Sequence, residues 1–315
     1  MSTLIAITAS GVFQLERSGA RPEKGPSDVT FTASDGESIL AVSRAGVLWQ
    51  RDAHGGWRQL AERTVPDEIW SFGADARLPG RLYLGVSPAL VYRSDDRGET
   101  WTACESLKSM PGYETWTFPP PPHIPHVRSI AIDPERVGGL YIGVEEGGVY
   151  RSPDGGDTWE GLNDGLYWDV HNVRPAADGE ELYATTGAGF HRSDDAGQHW
   201  GHVTQGIAPH RYTMPLLLSQ TSGRLFTAAA AGPPPTWSQG VNGALFRSDD
   251  AGRSWQRLLT GLPPQFERMP AGLIEDDSGR VAIACGGDVF LSDDAGDHWS
   301  TIADGLPPVR ALVAV

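Results

Sequence analysis

Short runs of apolar and β-branched residues recur along the chain, and they come in pairs. One pair consists of LYIGV (140–144) and GVYRS (148–152), and another of LYATT (182–186) and GFHRS (189–193). A glycine-containing turn separates the two runs of each pair, which is typical of an antiparallel hairpin. Seven hairpins are predicted, starting at Leu4, Ile39, Leu82, Leu140, Leu182, Leu225 and Val281. No segment shows the periodicity of an amphipathic helix, so the pattern predicts an all-β chain.

An eight-residue motif that ends in tryptophan follows five of these hairpins. Two copies are SDDRGETW (94–101) and SDDAGQHW (193–200). The tryptophans that end the five copies are Trp101, Trp159, Trp200, Trp255 and Trp299. Aspartate accepts backbone N–H bonds in tight turns and glycine permits positive φ, so we predict a folded corner with a structural aspartate. The tryptophan is expected to begin the next strand and to pack inward.

The spacing of the motif indicates a repeat architecture. The five tryptophans are separated by 58, 41, 55 and 44 residues, and a period near 41–44 suits four short strands per unit. A degenerate copy, QRDAHGGW (50–57), keeps Asp52. The motif resembles the Asp-box, or BNR repeat, of sialidase-like β-propellers.

This resemblance and the hairpin count together predict the fold. We expect one all-β domain over residues 1–315, a seven-bladed β-propeller of four-stranded antiparallel blades. The final run VRALVAV (309–315) is similar to VRSIAID (127–133), which opens the fourth unit. We therefore expect the last strand to complete the blade that begins at Leu4, so that pairing of the N- and C-terminal strands closes the ring.

Composition narrows the classes of partner. The net charge is −15 and the isoelectric point is near 4.9, which argues against nucleic acid and anionic membranes as partners. The first residues lack a basic, apolar leader and no stretch of 18 apolar residues occurs, so a cytoplasmic location is expected. Two cysteines, Cys104 and Cys285, are too few for a disulfide framework.

Two insertions stretch the repeat, at residues 105–126 and 228–244. In a propeller of this type, the loops that join one blade to the next share a face with the loop between the second and third strands. Both insertions fall in such loops, and the boxes lie on the opposite face. The insertions carry Trp116 and Trp237, so we interpret them as lids over a ligand pocket. Plugs of the central channel are the alternative.

Polar residues gather where the strands reach this same face. Aligning HVRSIAID with DVHNVRPA sets His126 against Asp169 and Arg128 against His171, and Arg310 takes the place of Arg128 in the last strand. Residues i and i+2 of a strand project to one side, so each strand presents a polar pair. Further polar residues expected at this face are Glu145, Glu146, Arg211 and Tyr212.

The first hypothesis is a hydrolase or lyase that acts on a small sugar-like or carboxylate-bearing molecule. The catalytic candidates are Glu145, Asp169, His171 and Tyr212. The substrate-binding candidates are Arg128, Arg310, Arg211, Trp116, Trp237 and Glu146. A true sialidase is not predicted, because the resemblance implies six blades and an Arg-Ile-Pro phrase for that activity, and this chain has seven hairpins and no such phrase.

Two further hypotheses remain open. A divalent metal such as zinc or iron would be held by His126, His171 and Glu145, with Asp169 as a ligand or as a partner of a ligand. Alternatively, the propeller is a non-enzymatic scaffold that binds a protein partner on the same face. A deep pocket with convergent polar groups would favour chemistry, and a broad flat rim would favour a protein partner.

Overall fold

Twenty-eight β-strands and three short 3₁₀ helices form the regular structure of the computed structural model, which describes residues 3–17 and 19–315. The strands form seven four-stranded antiparallel sheets. All seven predicted hairpins are present and start at the predicted residues. The fold class is therefore the predicted one, an all-β, seven-bladed β-propeller.

The strands of the first three hairpin units are β1 Leu4–Thr8, β2 Gly11–Glu16, β3 Gly19–Glu23, β4 Val29–Ser34, β5 Ile39–Ser43, β6 Leu48–Arg51, β7 Trp57–Ala61, β8 Glu68–Ala74, β9 Leu82–Ser87, β10 Leu90–Ser94 and β11 Thr102–Ala103. Those of the next two are β12 Val127–Ile132, β13 Leu140–Val144, β14 Gly148–Ser152, β15 Glu160–Gly161, β16 Val170–Pro175, β17 Leu182–Thr186, β18 Gly189–Ser193 and β19 Gly201–Val203. The remaining strands are β20 Tyr212–Leu218, β21 Leu225–Ala230, β22 Ala244–Ser248, β23 Gln256–Arg257, β24 Ala271–Glu275, β25 Val281–Cys285, β26 Asp288–Ser292, β27 Ser300–Ala303 and β28 Val309–Ala314.

The 3₁₀ helices lie in the two insertions found in the sequence. They span Glu105–Ser109 and Tyr113–Thr115, between β11 and β12, and Pro234–Gln239, between β21 and β22. Both insertions thus occupy the predicted connections. Among the described residues, no helix is long and apolar enough to cross a membrane.

The first sheet joins the two ends of the chain. Its strand order is β28-β1-β2-β3, and Leu4 pairs with Ala314 in antiparallel register. Reciprocal backbone hydrogen bonds between Thr3 and Val315 extend this pairing. The prediction that the last strand completes the blade begun at Leu4 is confirmed.

The described residues cluster into two compact units. Unit 1 comprises the chain up to Val29, Gly187–Phe190 and Val203–Val315, and unit 2 comprises Thr30–Thr186 and His191–His202. The apolar core of unit 2 includes Leu84 and Ile142, and that of unit 1 includes Phe226 and Ile283, all fully buried.

Two glycines allow neighbouring sheets of unit 2 to approach closely. A Cβ at Gly85 of β9 would lie 2.7 Å from Val127 Cγ1, and a Cβ at Gly143 of β13 would lie 2.8 Å from Val170 Cγ1. Real Cβ atoms do not approach so closely, so any larger residue would push the sheets apart. The inner strands β12 and β16 therefore lie directly against the preceding sheets, which brings their polar residues near one another.

The Asp boxes are hydrogen-bonded corners. In the copy that ends at Trp101, Ser94 Oγ donates to Asp96 Oδ1 at 2.8 Å and accepts the N–H of Gly98 at 2.8 Å. The Asp96 carboxylate also accepts the N–H and the hydroxyl of Thr100, at 2.9 and 2.6 Å. These bonds lower the pKa of Asp96 to about 2, with the Thr100 hydroxyl as the largest cause. The carboxylate therefore stabilises the turn by accepting its hydrogen bonds.

The same bonds recur in the other four copies, through Asp154, Asp195, Asp250 and Asp294. The strand after each of the five boxes begins one residue beyond the tryptophan, slightly later than the sequence predicts. Trp200, Trp255 and Trp299 are buried as expected, whereas Trp101 and Trp159 are only partly buried.

Trp200→Ala is expected to lower the free energy of unfolding by about 3–5 kcal/mol, because it truncates a buried aromatic side chain. Trp200 is 6% exposed, and its indole N–H donates to the carbonyl of Leu162 at 2.8 Å. Urea unfolding measures the change. Trp168→Ala is the control: Trp168 is 47% exposed, and its loss should stay within about 0.5 kcal/mol. Equal effects of the two substitutions would contradict the packing described here.

His199 gives the box that ends at Trp200 a pH dependence. Its Nδ1 lies 2.7 Å from Asp195 Oδ2, and this hydrogen bond, followed by the charge of Asp195, raises the pKa of His199. Because the pKa of His199 is higher in the folded state than in the unfolded state, protonation of His199 stabilises the folded state. This contribution is complete below the unfolded pKa of about 6.5 and is lost as the pH rises through the folded-state pKa.

An NMR titration of the His199 ring protons tests this interaction. We expect the wild-type pKa to lie above 6.5 and the pKa in Asp195→Asn to fall back toward the ordinary value. The same pKa in both proteins would show that the hydrogen bond does not form in solution.

Candidate functional site

The inner strands of three consecutive sheets carry a β-bulge at the same position. The pairing register skips Trp70 in β8, Arg128 in β12 and His171 in β16. Each is the second residue of a similar phrase, IWSF (69–72), VRSI (127–130) or VHNV (170–173). A bulge redirects the side chain of the extra residue and is common beside functional sites. These three residues are thus presented at the same end of their sheets in unit 2.

Glu145 lies at the centre of the polar group. It follows β13, is 5% exposed, and its Oε2 receives a hydrogen bond from His126 Nε2 at 2.8 Å. Arg128 Nε lies 3.4 Å from the same oxygen. The two residues that the alternation pattern placed on one side of β12 therefore meet at a single carboxylate oxygen.

The protonation states of this pair follow from its surroundings. Burial alone would raise the pKa of Glu145, but the hydrogen bond from His126 and the charge of Arg128 lower it to about 2. Burial lowers the pKa of His126 more than Glu145 raises it. At neutral pH an ionised Glu145 therefore accepts the Nε2–H of a neutral His126, and His126 Nδ1 carries the lone pair.

Aromatic and cationic groups hold the ring of His126. Trp70 stacks on this ring with a centroid distance of 3.5 Å and an interplanar angle of 21°. The guanidinium carbon of Arg44, Cζ, lies 4.0 Å from the centroid of the Trp70 ring. Phe118 contacts the rings of Trp70 and His126 edge-on. Because His126 is fully buried within this stack, its orientation toward Glu145 is fixed.

Glu145, Asp169 and His171 form a group that could hold a metal ion. One ligand atom from each residue lies within 4.8 Å of the others. His171 Nε2 is 3.4 Å from Asp169 Oδ1, and this oxygen is buried with no hydrogen-bond partner among the described residues. One imidazole and two carboxylates suit zinc, iron or manganese.

This group differs from the metal set proposed from the sequence in one residue. His126 was placed among the ligands, but its Nε2 is engaged by Glu145. The group found in the structure instead contains Asp169, which the sequence offered as a ligand or as a partner of a ligand, together with His171 and Glu145.

Glu146 follows Glu145 but faces a different space. It has a left-handed backbone with φ of 50°, and burial, followed by the charges of Asp169 and Glu145, raises its pKa. It lines an open cleft of about 500 Å³, here called the Trp168 cleft, whose walls include Trp116, Glu146, Tyr150, Asn163, Leu166 and Trp168. Of these two consecutive residues, Glu145 thus belongs to the group with Asp169 and His171, and Glu146 belongs to the cleft.

Trp116, which the sequence analysis places in a lid, lines a wall of this cleft and is nearly buried. It is 8% exposed, and its ring contacts those of Tyr113 and Tyr150 at centroid distances of 4.7 and 4.9 Å. The tryptophan anchors the insertion onto unit 2 through aromatic packing.

Four of the predicted site residues belong to unit 1. Arg310 occupies a bulge in β28 and forms an ion pair with Asp28. Tyr212 is 6% exposed and meets Trp237 edge-on at 5.8 Å, and the indole of Trp237 donates to a carbonyl of its own loop at 2.8 Å. Arg211 is exposed. The structure brings Tyr212 and Trp237 together within unit 1.

Two residues of the site were missed in the sequence. Trp70 could have been found, because IWSF repeats the phrase that carries Arg128 and His171. Trp168 gives no repeat signal: it precedes Asp169 and is identified only by its exposure, 47%, beside a cleft.

The comparison with protein families supports the motif. The BNR/Asp-box repeat model matches residues 92–103, which include the whole box that ends at Trp101. Together with the seven four-stranded sheets, this match confirms the resemblance to Asp-box β-propellers. No curated protein sequence matches the chain.

Several solved structures share the fold. A GH74 enzyme from Niastella koreensis is 18% identical with a TM-score of 0.66, over 87% of this chain and 45% of that one. The GH74 xyloglucanase from Xanthomonas campestris is 16% identical with a TM-score of 0.64, over 96% and 47%. YCF48 bound to D1 peptide is 16% identical with a TM-score of 0.59, over 87% and 82%. The chain spans less than half the length of the two GH74 enzymes, and these identities show the fold alone.

A double-mutant cycle of His126→Phe and Glu145→Gln tests the central hydrogen bond. We expect a coupling of about 1.5–3 kcal/mol in the free energy of unfolding, which is typical of a hydrogen bond to a charged group. Urea unfolding at pH 7 measures each variant. His54→Phe, at an exposed histidine of unit 2, is the control and should show no coupling with Glu145→Gln. Additive effects of the first pair would mean that the two side chains do not interact.

Proposed function

We propose that the protein is an enzyme, a hydrolase or lyase, that uses a divalent cation held by Glu145, Asp169 and His171. Its substrate is a small carboxylate-bearing or sugar-like molecule. The observation that supports this proposal is the convergence of three ligand atoms within 4.8 Å in a largely buried place. The similar solved structures share the fold alone with this chain.

Electrostatics favour a cation at this group. Glu145 is ionised, Asp169 adds a second carboxylate, and Arg128 supplies one compensating charge at 3.4 Å from Glu145. A buried carboxylate oxygen that accepts no hydrogen bond is costly, and Asp169 Oδ1, 3.4 Å from His171 Nε2, is such an oxygen among the described residues. A divalent cation would satisfy this oxygen and balance the remaining negative charge.

The neighbouring residues suit a metal site because they orient its ligands. His126 donates to Glu145 at 2.8 Å, and the stack of Trp70 and Arg44 fixes the imidazole. Partners of this kind orient a ligand and tune its basicity. His126 would therefore act as a positioning residue for Glu145.

The chemistry expected here is general acid–base catalysis beside a positive centre. When bound, a divalent cation lowers the pKa of a water molecule and polarises an oxygen of the substrate. Asp169, with 15% of its side chain exposed, would bind the cation through one carboxylate oxygen, and its other oxygen would accept a proton from the reacting group. Arg128, with 24% of its side chain exposed, is placed to bind a substrate carboxylate.

A non-enzymatic scaffold is the second candidate. The observation that favours it is the pair of exposed aromatic residues Tyr167 and Trp168, which are 41% and 47% exposed. Exposed aromatic side chains are enriched where proteins bind one another. The convergent polar groups favour the enzyme over this alternative.

Elemental analysis and calorimetric titration with zinc, iron(II) or manganese test the proposal. We expect the wild-type protein to bind close to one ion, and His171→Ala and Asp169→Asn to lose it, because each removes one ligand from an already small set. Chelation should abolish turnover of ester, lactone and glycoside substrates, and the same two variants should be inactive.

Asp178→Asn is the matched control, because Asp178 is an exposed aspartate of unit 2. It should bind the ion as the wild type does. If the wild-type protein binds none of these ions at saturating concentration, the proposed metal site is wrong and the non-enzymatic scaffold becomes the favoured function.

A further inference from the structure

We propose that the Trp168 cleft binds the quaternary ammonium group of a small molecule. This is a binding property beyond the proposed catalytic function, because it requires no metal ion and no reaction. The cleft lies entirely within unit 2 and has a volume of about 500 Å³, which is ample for a whole choline-sized compound.

The walls of the cleft are aromatic. Trp168 is 47% exposed, while Trp116 and Tyr150 stand behind the cleft with their centroids 4.9 Å apart and are almost fully buried. The backbone holds Trp168 in place, because its carbonyl accepts the N–H of Gly147 at 3.1 Å. The faces of such rings attract cations, and aromatic clefts are a frequent means of binding quaternary ammonium groups.

The charge of the cleft also favours a cation. Among the residues that the structure describes, Glu146 is the one charged residue that lines it. Within the described parts of the chain, the Glu146 carboxylate has no hydrogen bond or ion pair of its own. Its backbone is held by the N–H of Thr117, which donates to the Glu146 carbonyl at 3.3 Å. An anionic ligand would be repelled here, whereas an ammonium group would be paired.

Two glycines let the turn between β13 and β14 pack closely against neighbouring side chains. A Cβ at Gly147 would lie 2.5 Å from Val144 Cγ1 and 3.1 Å from Trp116, and a Cβ at Gly148 would lie 2.2 Å from Asn163 Oδ1. Larger residues would displace Trp116 and Asn163, which line the cleft. The phrase EEGG (145–148) thus supplies the carboxylate and keeps these two walls in place.

Three neutral polar groups of the cleft already make hydrogen bonds within the protein, which leaves few partners for the hydroxyl groups of a sugar. Asn163 Oδ1 accepts the N–H of Val149 at 2.8 Å, and the Thr115 hydroxyl donates to the carbonyl of Gly112 at 2.7 Å. The Tyr150 hydroxyl donates to the carbonyl of Gly147 at 2.9 Å. A sugar needs several partners for its hydroxyl groups, and a quaternary ammonium group needs none.

Calorimetry and tryptophan fluorescence on chelator-treated, full-length protein test this site. The probes are choline and its uncharged isostere 3,3-dimethylbutan-1-ol. We expect choline to bind about tenfold more tightly than the isostere, as cation–π attraction and a carboxylate partner imply. Equal affinities, or binding of methyl glucoside in place of choline, would overturn the proposal.

Three variants locate the binding. Trp168→Leu and Glu146→Gln should each weaken choline binding by about tenfold. Tyr167→Leu is the matched control, because Tyr167 is the neighbouring exposed aromatic residue and does not line the cleft. Unchanged melting temperatures would show that all three variants fold. Loss of binding in the control alone, or in none of the variants, would place the site elsewhere.

A final comparison concerns the source of the ammonium group. A short peptide that contains trimethyllysine presents the same group on a protein. Binding of choline as tight as that of the peptide, or tighter, supports a free small compound. Clearly tighter binding of the peptide would overturn the assignment to a free compound. Neither result depends on a metal at Glu145, so failure here leaves the catalytic proposal to be judged by metal binding.

Discussion

A buried carboxylate has to be paired, and around Glu145 this requirement determines most of the local structure. The side chain is ionised although nearly excluded from water, and it remains so because His126 donates to it and Arg128 lies beside it. His126 in turn needs a rigid surrounding, which Trp70, Arg44 and Phe118 provide. Each of these residues depends on a bulge or a loop that places it. A single anion thus accounts for a set of contacts that spans three sheets.

The chain uses aspartate in two physically different ways. Asp195 of an Asp box has its oxygens satisfied by Ser193 and His199 in the same corner, which stabilises the turn. Asp169 lies next to His171, and its buried Oδ1, 3.4 Å from His171 Nε2, accepts no hydrogen bond from the described residues. Hydrogen bonds within a turn make a carboxylate structural, whereas an unsatisfied carboxylate near other ligands is available to a cation.

Much of the fold could be predicted because the same weak hairpin pattern and the same box recur along the chain. Each hairpin alone is ambiguous, but seven of them with recurring boxes define the strands, and the similarity of VRALVAV to VRSIAID defines the closing pair. The exact site could not be derived in this way. Regular alternation along a strand does not predict a β-bulge. Whether His126 or Asp169 is available as a ligand depends on which of the two side chains is hydrogen-bonded to Glu145, and in the structure this is His126. The stacking of Trp70 on the His126 ring is a tertiary contact, and the repeated phrase that locates Trp70 in the sequence does not predict it.

The two proposed sites are adjacent because consecutive residues serve them. Glu145 and Glu146 point to different spaces, since the left-handed backbone at Glu146 turns the chain between them, and Asp169 and Trp168 repeat this arrangement on the next connection. Two cations so close repel each other, but the repulsion is weakened where water enters the open cleft. The carboxylates of Glu145 and Asp169 would serve the first site and that of Glu146 the second, so the charge that each site offers a cation comes from adjacent positions of the same two connections.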